Sequence, residues 1–251
     1  MKIVVCVRHI YGVSEEFQID DAGTAIEPDF LDVRISEWDQ AAVEAALRIR
    51  DAGQDAEIVL VSIANSDADP VIRRLLAMGA DRARRIEPEV QPWANPLAVA
   101  RILADVVREE APDMVLSGVL SADQSNGATG IALAGYLDWP SLAAVKTFEL
   151  EANTCVATCE LEGGLRAVYK AELPVVLSIQ TGAYQPRYAN IRSIKQAEQK
   201  ELSVTPAAAP EVWQKLRRLY IPEISNDVQI LGNNSSEVAN RILEIVRGAA
   251  K

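Results

Sequence analysis

Ser117-Gly-Val-Leu-Ser-Ala-Asp-Gln-Ser-Asn-Gly-Ala-Thr-Gly-Ile-Ala-Leu, residues 117–133, passes from an apolar strand pattern through a loop of small polar residues into an apolar helix pattern. We expect the strand to end near Gly118 and the helix to begin near Ala128. Such a turn leaves backbone N–H groups at the start of a helix, where the helix dipole favours an anion such as phosphate. Side-chain donors and acceptors surround that position: Asp123, Gln124, Ser125, Asn126 and Thr129. The loop predicts nucleotide binding at the carboxyl edge of a sheet.

The same loop also fits an ordinary capped turn, with Asn126 or Ser125 as the N-cap residue of the helix. The loop contains no lysine and no Walker pattern, which favours a mononucleotide or a diphosphate over triphosphate hydrolysis. A glycine-rich strand-to-helix turn without a longer fingerprint is weak evidence. The loop by itself therefore leaves nucleotide binding and a structural turn both open.

Strand and helix patterns alternate through the first 183 residues. Short runs rich in Val and Ile predict buried parallel strands at Lys2–Val7, Glu57–Ile63, Met114–Ser117 and Val175–Ile179. Helical periodicity lies between them at Gln40–Asp51, Pro70–Met78 and Pro96–Glu110. We expect Asp39 to cap the first helix, and Gly53 and Gly79 to follow the first two. The alternation predicts an α/β fold with a doubly wound, mostly parallel, Rossmann-like sheet.

Two later segments predict strands of a different kind. Alternating apolar residues at Glu149–Leu161 and Leu165–Lys170, joined through Gly163-Gly164, are typical of a hairpin. We expect these strands to extend the sheet in the antiparallel direction.

The charge of the chain changes near residue 184. Residues 184–251 contain ten Lys and Arg against seven Asp and Glu, whereas residues 1–183 carry an excess of fourteen negative charges. Proline, glycine and asparagine interrupt the later segment, which predicts an extended arm with short helices at Val212–Leu219 and Glu237–Val246. We therefore expect a nucleotide-binding α/β domain, residues 1–183, and a C-terminal arm, residues 184–251, that lies against this domain or against another chain.

The composition argues against several classes of function. With 25 Lys and Arg against 36 Asp and Glu, the net charge of −11 opposes nucleic-acid backbones and anionic lipid surfaces. No apolar run reaches the roughly 18 residues of a membrane span, and the N-terminus lacks a secretory signal. The single histidine argues against a Cys/His zinc site and against a Ser-His-Asp triad. We expect a cytoplasmic protein without nucleic-acid binding, membrane insertion or a metal site.

Five further features of the sequence bear on function. Cys155 and Cys159 are separated by about 13 Å in an extended chain, beyond disulfide reach, and predict inert thiols. Trp38 either stacks on a ring system or a partner, or staples the start of the first helix. Arg82-Ala-Arg-Arg-Ile predicts a short strand with solvated flanks, and Lys215-Leu-Arg-Arg-Leu-Tyr-Ile-Pro favours an intersubunit contact over a solvated helix face. His9 favours a loop or ligand-edge residue over a catalyst.

Strings along essentially the whole chain match one known family in order and spacing: Lys2-Ile-Val-Val-Cys-Val-Arg, Ala41-Ala-Val-Glu-Ala-Ala-Leu-Arg-Ile, Leu76-Ala-Met-Gly-Ala-Asp-Arg, Gly135-Tyr-Leu-Asp-Trp-Pro, Glu160-Leu-Glu-Gly-Gly-Leu and Pro186-Arg-Tyr-Ala-Asn-Ile-Arg-Ser-Ile-Lys-Gln-Ala. Each is weak alone, but together they resemble the β subunit of electron transfer flavoprotein (ETF). Ser36-Glu-Trp-Asp, Ser121-Ala-Asp-Gln and Arg217-Arg-Leu-Tyr-Ile-Pro-Glu are most similar to the methylotroph branch. In that branch the electron donor is trimethylamine dehydrogenase or a related amine dehydrogenase.

The resemblance implies an electron carrier subunit with no bond chemistry of its own, on a fold like that of the adenine nucleotide α-hydrolases. It implies a heterodimer with an ETF α subunit that mainly holds a redox-active FAD. The heterodimer would take electrons from a flavin-containing dehydrogenase and pass them to ETF-quinone oxidoreductase or a similar acceptor. It also implies a structural AMP in the β subunit.

The resemblance assigns roles to particular positions. Phosphate-binding positions of the family match Asp123, Gln124, Gly127, Ala128, Thr129 and Gly130, with Ser125 and Asn126 in the same loop, and adenosine-pocket positions match Cys6, Ser36 and Ile63. Val13 and Trp38 match positions near the flavin. Ile191 matches an apolar anchor for the dehydrogenase, with Arg187, Asn190 and Arg192 as a polar rim. A small, weak contact of this kind suits electron transfer.

Two positions depart from the family pattern. Ala128 stands where a glutamine is usual, and Ser36 where an asparagine is usual. Both changes remove side-chain amides and leave more of the recognition to backbone N–H groups and hydroxyls. They also argue against the bifurcating members of the family, which bind a second FAD at this place.

Three alternatives stand beside the ETF β subunit. One is a bifurcating-type subunit with a second FAD. Another is a nucleotide-dependent ligase or hydrolase, which lacks support because the chain has no Ser-Gly-Gly-x-Asp-Ser loop, P-loop lysine or obvious metal-binding carboxylate pair. The third is a stand-alone adenine-nucleotide-binding protein of the stress-protein type, which would not need the positive arm of residues 184–251.

Overall fold

The computed structural model describes residues 1–89, 95–182, 184–208, 216–222 and 228–249. Its strands are β1 Lys2–Cys6, β2 His9–Val13, β3 Leu31–Ile35, β4 Glu57–Ile63, β5 Arg82–Pro88, β6 Met114–Gly118, β7 Ser141–Glu151, β8 Thr154–Glu160, β9 Arg166–Glu172, β10 Val175–Ile179 and β11 Leu202–Ala207. Its helices are α1 Glu37–Asp51, α2 Asp69–Met78, α3 Pro96–Glu110, α4 Thr129–Leu137, α5 Ile191–Ala197 and α6 Ser235–Ala249. Short 3-10 turns lie at Pro28–Phe30, Ser66–Ala68 and Glu162–Gly164.

The central feature is a nine-stranded sheet in the order β11-β5-β4-β1-β6-β10-β7-β8-β9. Neighbouring strands from β11 to β7 are parallel, and β8 and β9 add antiparallel strands at one edge. The two other strands, β2 and β3, pair with each other in a separate antiparallel hairpin. The predicted α/β class, with a mostly parallel sheet and added antiparallel strands, is confirmed.

Helices cover both faces of the central strands, and this explains why those strands are apolar along their whole length. Ile3 and Val5 of β1 pack on one side in a core shared with α1 and α2. Val4 and Cys6 pack on the other side in a core shared with α3 and α4. Because successive side chains of a strand point to opposite faces, one short strand supplies both cores.

The direction of winding reverses at β1. The chain runs from β1 to β4 and β5 on one side, then crosses back to β6 on the other side. In such sheets a crevice opens beyond the carboxyl ends of the two strands at the reversal. Cys6 and Ser117 form the last residue pair between β1 and β6 before this crevice.

The predicted helices of this layer are present, with small changes at two of their starts. α3 has the predicted bounds, whereas α1 and α2 begin at Glu37 and Asp69. The prediction that Asp39 caps α1 was wrong, because Ser36 has the extended backbone of an N-cap and its Oγ accepts the N–H of Asp39. The helix starts before its apolar periodicity becomes visible.

The segment Glu149–Leu161, predicted as one strand, is in fact parts of two. β7 and β8 are antiparallel neighbours that meet at a turn after Glu151, where Ala152 has a left-handed φ of 51°. The apolar alternation continues across this turn, so the pattern alone did not reveal it. The following hairpin of β8 and β9 is confirmed.

The basic string at 82–86 forms a strand, as predicted, but its flanks are not simply solvated. β5 lies between β4 and β11, and Arg85 is only 5% exposed. Arg82 and Arg84 both donate to the carboxylate of Glu110 at the end of α3. The string is therefore built into the sheet and its ion pairs.

The region predicted as an arm divides between two compact units, residues 1–218 and 219–251. Within the first unit, α5 packs on α2, and β11 joins the main sheet beside β5. In the second, α6 contains the predicted helix at Glu237–Val246. The helix predicted at Val212–Leu219 lies partly outside the described residues, and its described part, 216–219, is not helical. Among the described residues no helix has the length and apolar character to cross a membrane.

Candidate functional site

A cavity of about 200 Å³ opens at the crevice between β1 and β6. Its wall is formed by the segments that follow β1, β4 and β6, by the start of α1, by one side of α3 and by the loop before α4. The volume is many times the roughly 10–15 Å³ that one water molecule requires. The cavity thus lies where the topology of a doubly wound sheet favours a ligand.

Most residues that the sequence assigned to AMP lie on this wall: Cys6, Ile63, Asp123, Gln124, Asn126, Gly127, Ala128 and Thr129. Ser36, Ser125 and Gly130 are not wall residues. Ser36 is completely buried as the cap of α1. Ser125 has a left-handed φ of 50° and donates its N–H to the carbonyl of Ser121, which closes a turn of the loop.

α4 begins at the cavity without a side-chain cap. Its N-cap residue is Ala128, and the first helical hydrogen bond joins the Ala132 N–H to the Ala128 carbonyl at 2.9 Å. The alternative of an ordinary turn with Asn126 or Ser125 as the cap does not hold, because the chain turns through left-handed φ values at Ser125 and again at Gly127 before the helix starts. The first-turn N–H groups are therefore left for an anion.

Two glycines bring this helix close to its surroundings. Gly127 has a φ of +61°, and a Cβ built there would lie 3.1 Å from the side chain of Leu120. A Cβ at Gly130 would lie 2.3 Å from Ser178 Oγ and 2.9 Å from Ser117 Oγ. Gly130 thus supports the site without lining the cavity. Because it has no side chain, the start of α4 can pack directly on the ends of β6 and β10.

Asp39 connects the two sides of the cavity. It is 6% exposed, and its carboxylate accepts the Arg8 N–H at 2.9 Å and the Gly118 N–H at 3.0 Å. Burial raises the pKa of Asp39 to about 6, against the lowering effect of these two amides and of the Arg8 guanidinium. The carboxylate is therefore ionised at neutral pH and gains a proton in mild acid.

Arg8 provides the charged side chain that faces the loop before α4. Its Nη2 lies 2.6 Å from Asp123 Oδ2, so that an ion pair spans the segments after β1 and β6. Among the described wall residues, Arg8 is the one lysine or arginine. Neither Arg8 nor Asp39 was among the sequence-based candidates for the cavity. Their positions in the sequence could have indicated them, because residues just beyond β1 and at the start of α1 lie at this edge of the sheet.

His9 and Cys6 line the cavity beside Arg8. His9 Nδ1 is buried without a hydrogen-bond partner among the described residues. Burial lowers the pKa of His9, and the neighbouring Arg8 guanidinium lowers it further. Burial also raises the pKa of the Cys6 thiol to about 12, with a further rise from the Asp39 charge. This side of the cavity therefore presents a neutral imidazole and a neutral thiol.

The two residues predicted near a flavin lie in different elements, Trp38 in the first turn of α1 and Val13 at the end of β2. Trp38 is half-buried just after β3, and its Nε1 has no hydrogen-bond partner among the described residues. Val13 is 44% exposed and pairs with Leu31 at the far end of the hairpin. Four residues of strand, about 13 Å, separate Val13 from His9 at the near end.

The predicted partner-binding residues differ in their surroundings. Ile191 is 76% exposed at the start of α5, and Arg192 is exposed beside it. Arg187 instead forms an ion pair with the buried Glu44 of α1, at 2.8 Å from Nε to Oε2, and a second pair with Asp51 at 2.6 Å. Arg187 is therefore engaged within the chain, and it anchors the segment that leads to Ile191.

The donor set of the cavity suits a phosphate ester with an apolar ring system. Backbone N–H groups and Arg8 line the cavity together with the apolar side chains of Ile63, Val99 and Leu103. Among the described residues, no group of three or more His, Cys, Asp or Glu side chains is placed to hold a metal ion.

Comparison with known proteins identifies the family. Residues 30–210 match the model of the electron transfer flavoprotein domain. The chain is 37% identical to the electron transfer flavoprotein subunit beta of Methylophilus methylotrophus, over 98% of both chains. It is 32% and 30% identical to the proteins of the same description from Bradyrhizobium diazoefficiens and Homo sapiens, over 81% of this chain and 80% of theirs. The chain therefore belongs to the electron transfer flavoprotein family, among its β subunits, as its sequence strings predicted.

Proposed function

We propose that the chain pairs with an ETF α subunit, holds AMP in the cavity between β1 and β6 as a structural ligand, and helps to enclose the FAD of the α subunit. The heterodimer carries electrons from a flavin-containing dehydrogenase to ETF-quinone oxidoreductase or a similar acceptor. The chain itself makes and breaks no bonds in this scheme.

The observation that carries the AMP proposal is the start of α4, which opens on the cavity without a side-chain cap. α1 and α3 begin near the same cavity, but Ser36 and Asn95 cap them. An uncapped helix start beside an arginine offers both N–H donors and positive potential to a phosphate. The volume of the cavity, the apolar part of its lining and the family membership support binding of the rest of the nucleotide.

Each part of the cavity has a separate task in this proposal. The backbone of Gly127, Ala128 and Thr129 donates to the phosphate, and the side chains of Asp123, Gln124 and Asn126 surround it. Cys6 and Ile63 contact the adenosine. Ser36, Ser125 and Gly130 do not contact the nucleotide. Ser36 caps α1, Ser125 closes the turn of the loop, and Gly130 allows α4 to pack on the sheet. Bound AMP supplies no reactive group and adds only contacts between these segments.

The flavin and the redox partners contact other parts of the chain. When bound, FAD supplies the electron-accepting ring, and the half-buried Trp38 shields it from water, while Val13 contacts it from the end of β2. Ile191 is the apolar anchor for the donor dehydrogenase, with Arg192 on the rim and Arg187 as its support. A transient contact with one anchor agrees with the quick release that electron transfer requires.

The experiment is purification of the chain co-expressed with its α partner, followed by mass spectrometry of the small molecules released on denaturation. We expect a yellow heterodimer with one FAD and one AMP per complex. Two FAD and no AMP would instead indicate the bifurcating type. A colourless monomer that binds adenine nucleotide without a partner would refute the electron-transfer proposal and favour the stand-alone binding protein.

A further inference from the structure

We propose that Asp39 is the positioning residue of the nucleotide cavity: its single carboxylate ties the segment after β1 to the segment after β6 and thereby sets the spacing of the two walls that grip the nucleotide. The inference rests on the proposed AMP binding and extends it to a residue that contacts both walls.

The two backbone hydrogen bonds to Asp39 lie where the pairing of β1 with β6 ends. Backbone pairing between β1 and β6 ends at Cys6 and Ser117. The Gly118 N–H comes one residue after this last pair and the Arg8 N–H two residues after it, and they donate to Oδ1 and Oδ2 of Asp39, respectively. The carboxylate thus continues the connection where the pairing of β1 with β6 ends, with one oxygen for each chain segment.

The packing around Gly118 shows how little freedom this arrangement has. A Cβ built on Gly118 would lie 2.5 Å from Trp38 Cβ and 2.6 Å from Asp39 Oδ1. The start of α1 therefore rests directly on the end of β6. The Ser36 cap holds the backbone of Asp39 from the other side. A carboxylate in this place fixes distances and does not merely fill space.

The charge on Asp39 determines whether it can serve both amides. The ionised carboxylate accepts at both oxygens, whereas the protonated acid turns one oxygen into a donor. The polar and titratable groups that act on it are the Arg8 guanidinium with its partner Asp123, the thiol of Cys6 and the hydroxyl of Ser36, and the imidazole of His9 lines the same cavity. Burial raises the pKa of Asp39 to about 6, so that mild acid separates the two states.

The test compares Asp39→Asn with Glu44→Gln in the purified complex. Glu44 is a matched control because it is an equally buried carboxylate on the same helix, but its partners are Arg48 and Arg187, away from the cavity. Equilibrium dialysis against radiolabelled AMP at pH 8 measures the dissociation constant. We expect Asp39→Asn to raise it roughly ten- to a hundredfold, since one buried amide loses a charged partner. Glu44→Gln should stay within about twofold of wild type, the change expected when the lost contacts do not reach the ligand.

The pH profile separates positioning from general loss of structure. The ratio of the two dissociation constants, Asp39→Asn over wild type, should fall toward one as the pH is lowered from 8 to 5, because wild type then also loses its charge at Asp39. The phosphate of AMP titrates near pH 6 as well, but free AMP does so equally in both measurements, and this contribution cancels in the ratio. A ratio that is near one at pH 8, or that does not change with pH, would overturn the inference.

A measurement on wild type alone covers the case in which Asp39→Asn fails to fold. In the complex without nucleotide, the backbone amide NMR signals of Arg8 and Gly118 should shift together with one titration midpoint near pH 6. Independent or absent titration of these two amides would contradict the shared carboxylate. If wild type binds no AMP at all, both the proposed function and this inference fail. If wild type binds AMP and Asp39→Asn binds it equally, only the inference fails.

Discussion

Replacing Glu110 by Gln removes the carboxylate on which three basic side chains meet at the amino edge of the sheet, opposite the cavity. Arg82 donates to it through both terminal nitrogens, at 3.0 and 2.6 Å. Arg84 donates at 3.1 Å and Lys2 at 3.4 Å. Lys2 begins β1, Arg82 begins β5 with Arg84 two residues later, and Glu110 ends α3, so that the cluster connects one helix to the first residues of two strands.

The magnitude follows from the pKa of Glu110. The hydrogen bonds from Arg82, and then those from Arg84 and Lys2, lower the pKa of Glu110 from 4.5 to about 2, against the effect of burial. The residue is 7% exposed, so solvent screening is small. At about 1.4 kcal/mol for each pH unit, the ionised group stabilises the fold by about 3 kcal/mol. The stabilisation is complete above the unfolded pKa and is lost as the pH falls toward 2.

Urea unfolding at pH 7, at fixed protein and nucleotide concentration, measures the effect. Glu110→Gln should lower the free energy of unfolding by about 3 kcal/mol. The neighbouring Glu109 pairs with Arg84 at 2.8 Å but is 64% exposed, so Glu109→Gln should cost less than about 1 kcal/mol. The difference between wild type and Glu110→Gln should shrink as the pH is lowered below 4.5. Equal effects of the two substitutions, or a difference independent of pH, would refute the reasoning.

Three other predictions concern the cavity, the thiols and the partner surface. Gly127→Val should lower the nucleotide retained after purification, because Gly127 has a φ of +61° at the cavity, whereas Gly53→Val, at φ +92° with open space around it, should not. Iodoacetamide at pH 8 should label none of the cysteines before denaturation and all three after it, since burial raises the pKa of each thiol, to about 12 at Cys6; labelling of the native protein, seen by mass spectrometry, would contradict this. Ile191→Ala should slow reduction by the donor dehydrogenase without loss of flavin or nucleotide, and Val204→Ala, at another exposed apolar position, should leave the rate unchanged.

The sequence was sufficient for the parts of the fold that are set by local chemistry. α3 was predicted with its observed bounds because a proline opens it and its apolar stripe is continuous. The position of the cavity was also predictable, because the order of strands and helices is enough to place the loop between β6 and α4 at the carboxyl edge of the sheet. What these parts share is that neighbours in sequence determine them.

The sequence was insufficient where residues far apart along the chain decide the structure. The β2–β3 hairpin joins two mixed, five-residue strands across a long acidic loop, which gives no clear periodicity. Arg187 was predicted as part of a polar rim, but it pairs with Glu44, which lies 143 positions away in the sequence and could not be recognised as its partner. The family resemblance assigns Ser36 to the adenosine pocket, but in the structure Ser36 is the N-cap residue of α1. Polar side chains are hardest to assign, because their partners are chosen by the tertiary fold.

The two edges of the sheet use charge in different ways, and this explains how an acidic chain presents a site suited to an anion. At the amino edge, Lys2, Arg82 and Arg84 are paired with Glu110, Glu57 and Glu109, and these ion pairs stabilise the fold. At the carboxyl edge, Arg8 is the one basic side chain of the described cavity wall, and it is already paired with Asp123. Attraction for a phosphate must then come mainly from the uncapped N–H groups of α4, whose partial charges are fixed in place and do not depend on pH. Affinity would accordingly depend on how accurately the loop before α4 is held relative to β1, which is the distance that Asp39 sets.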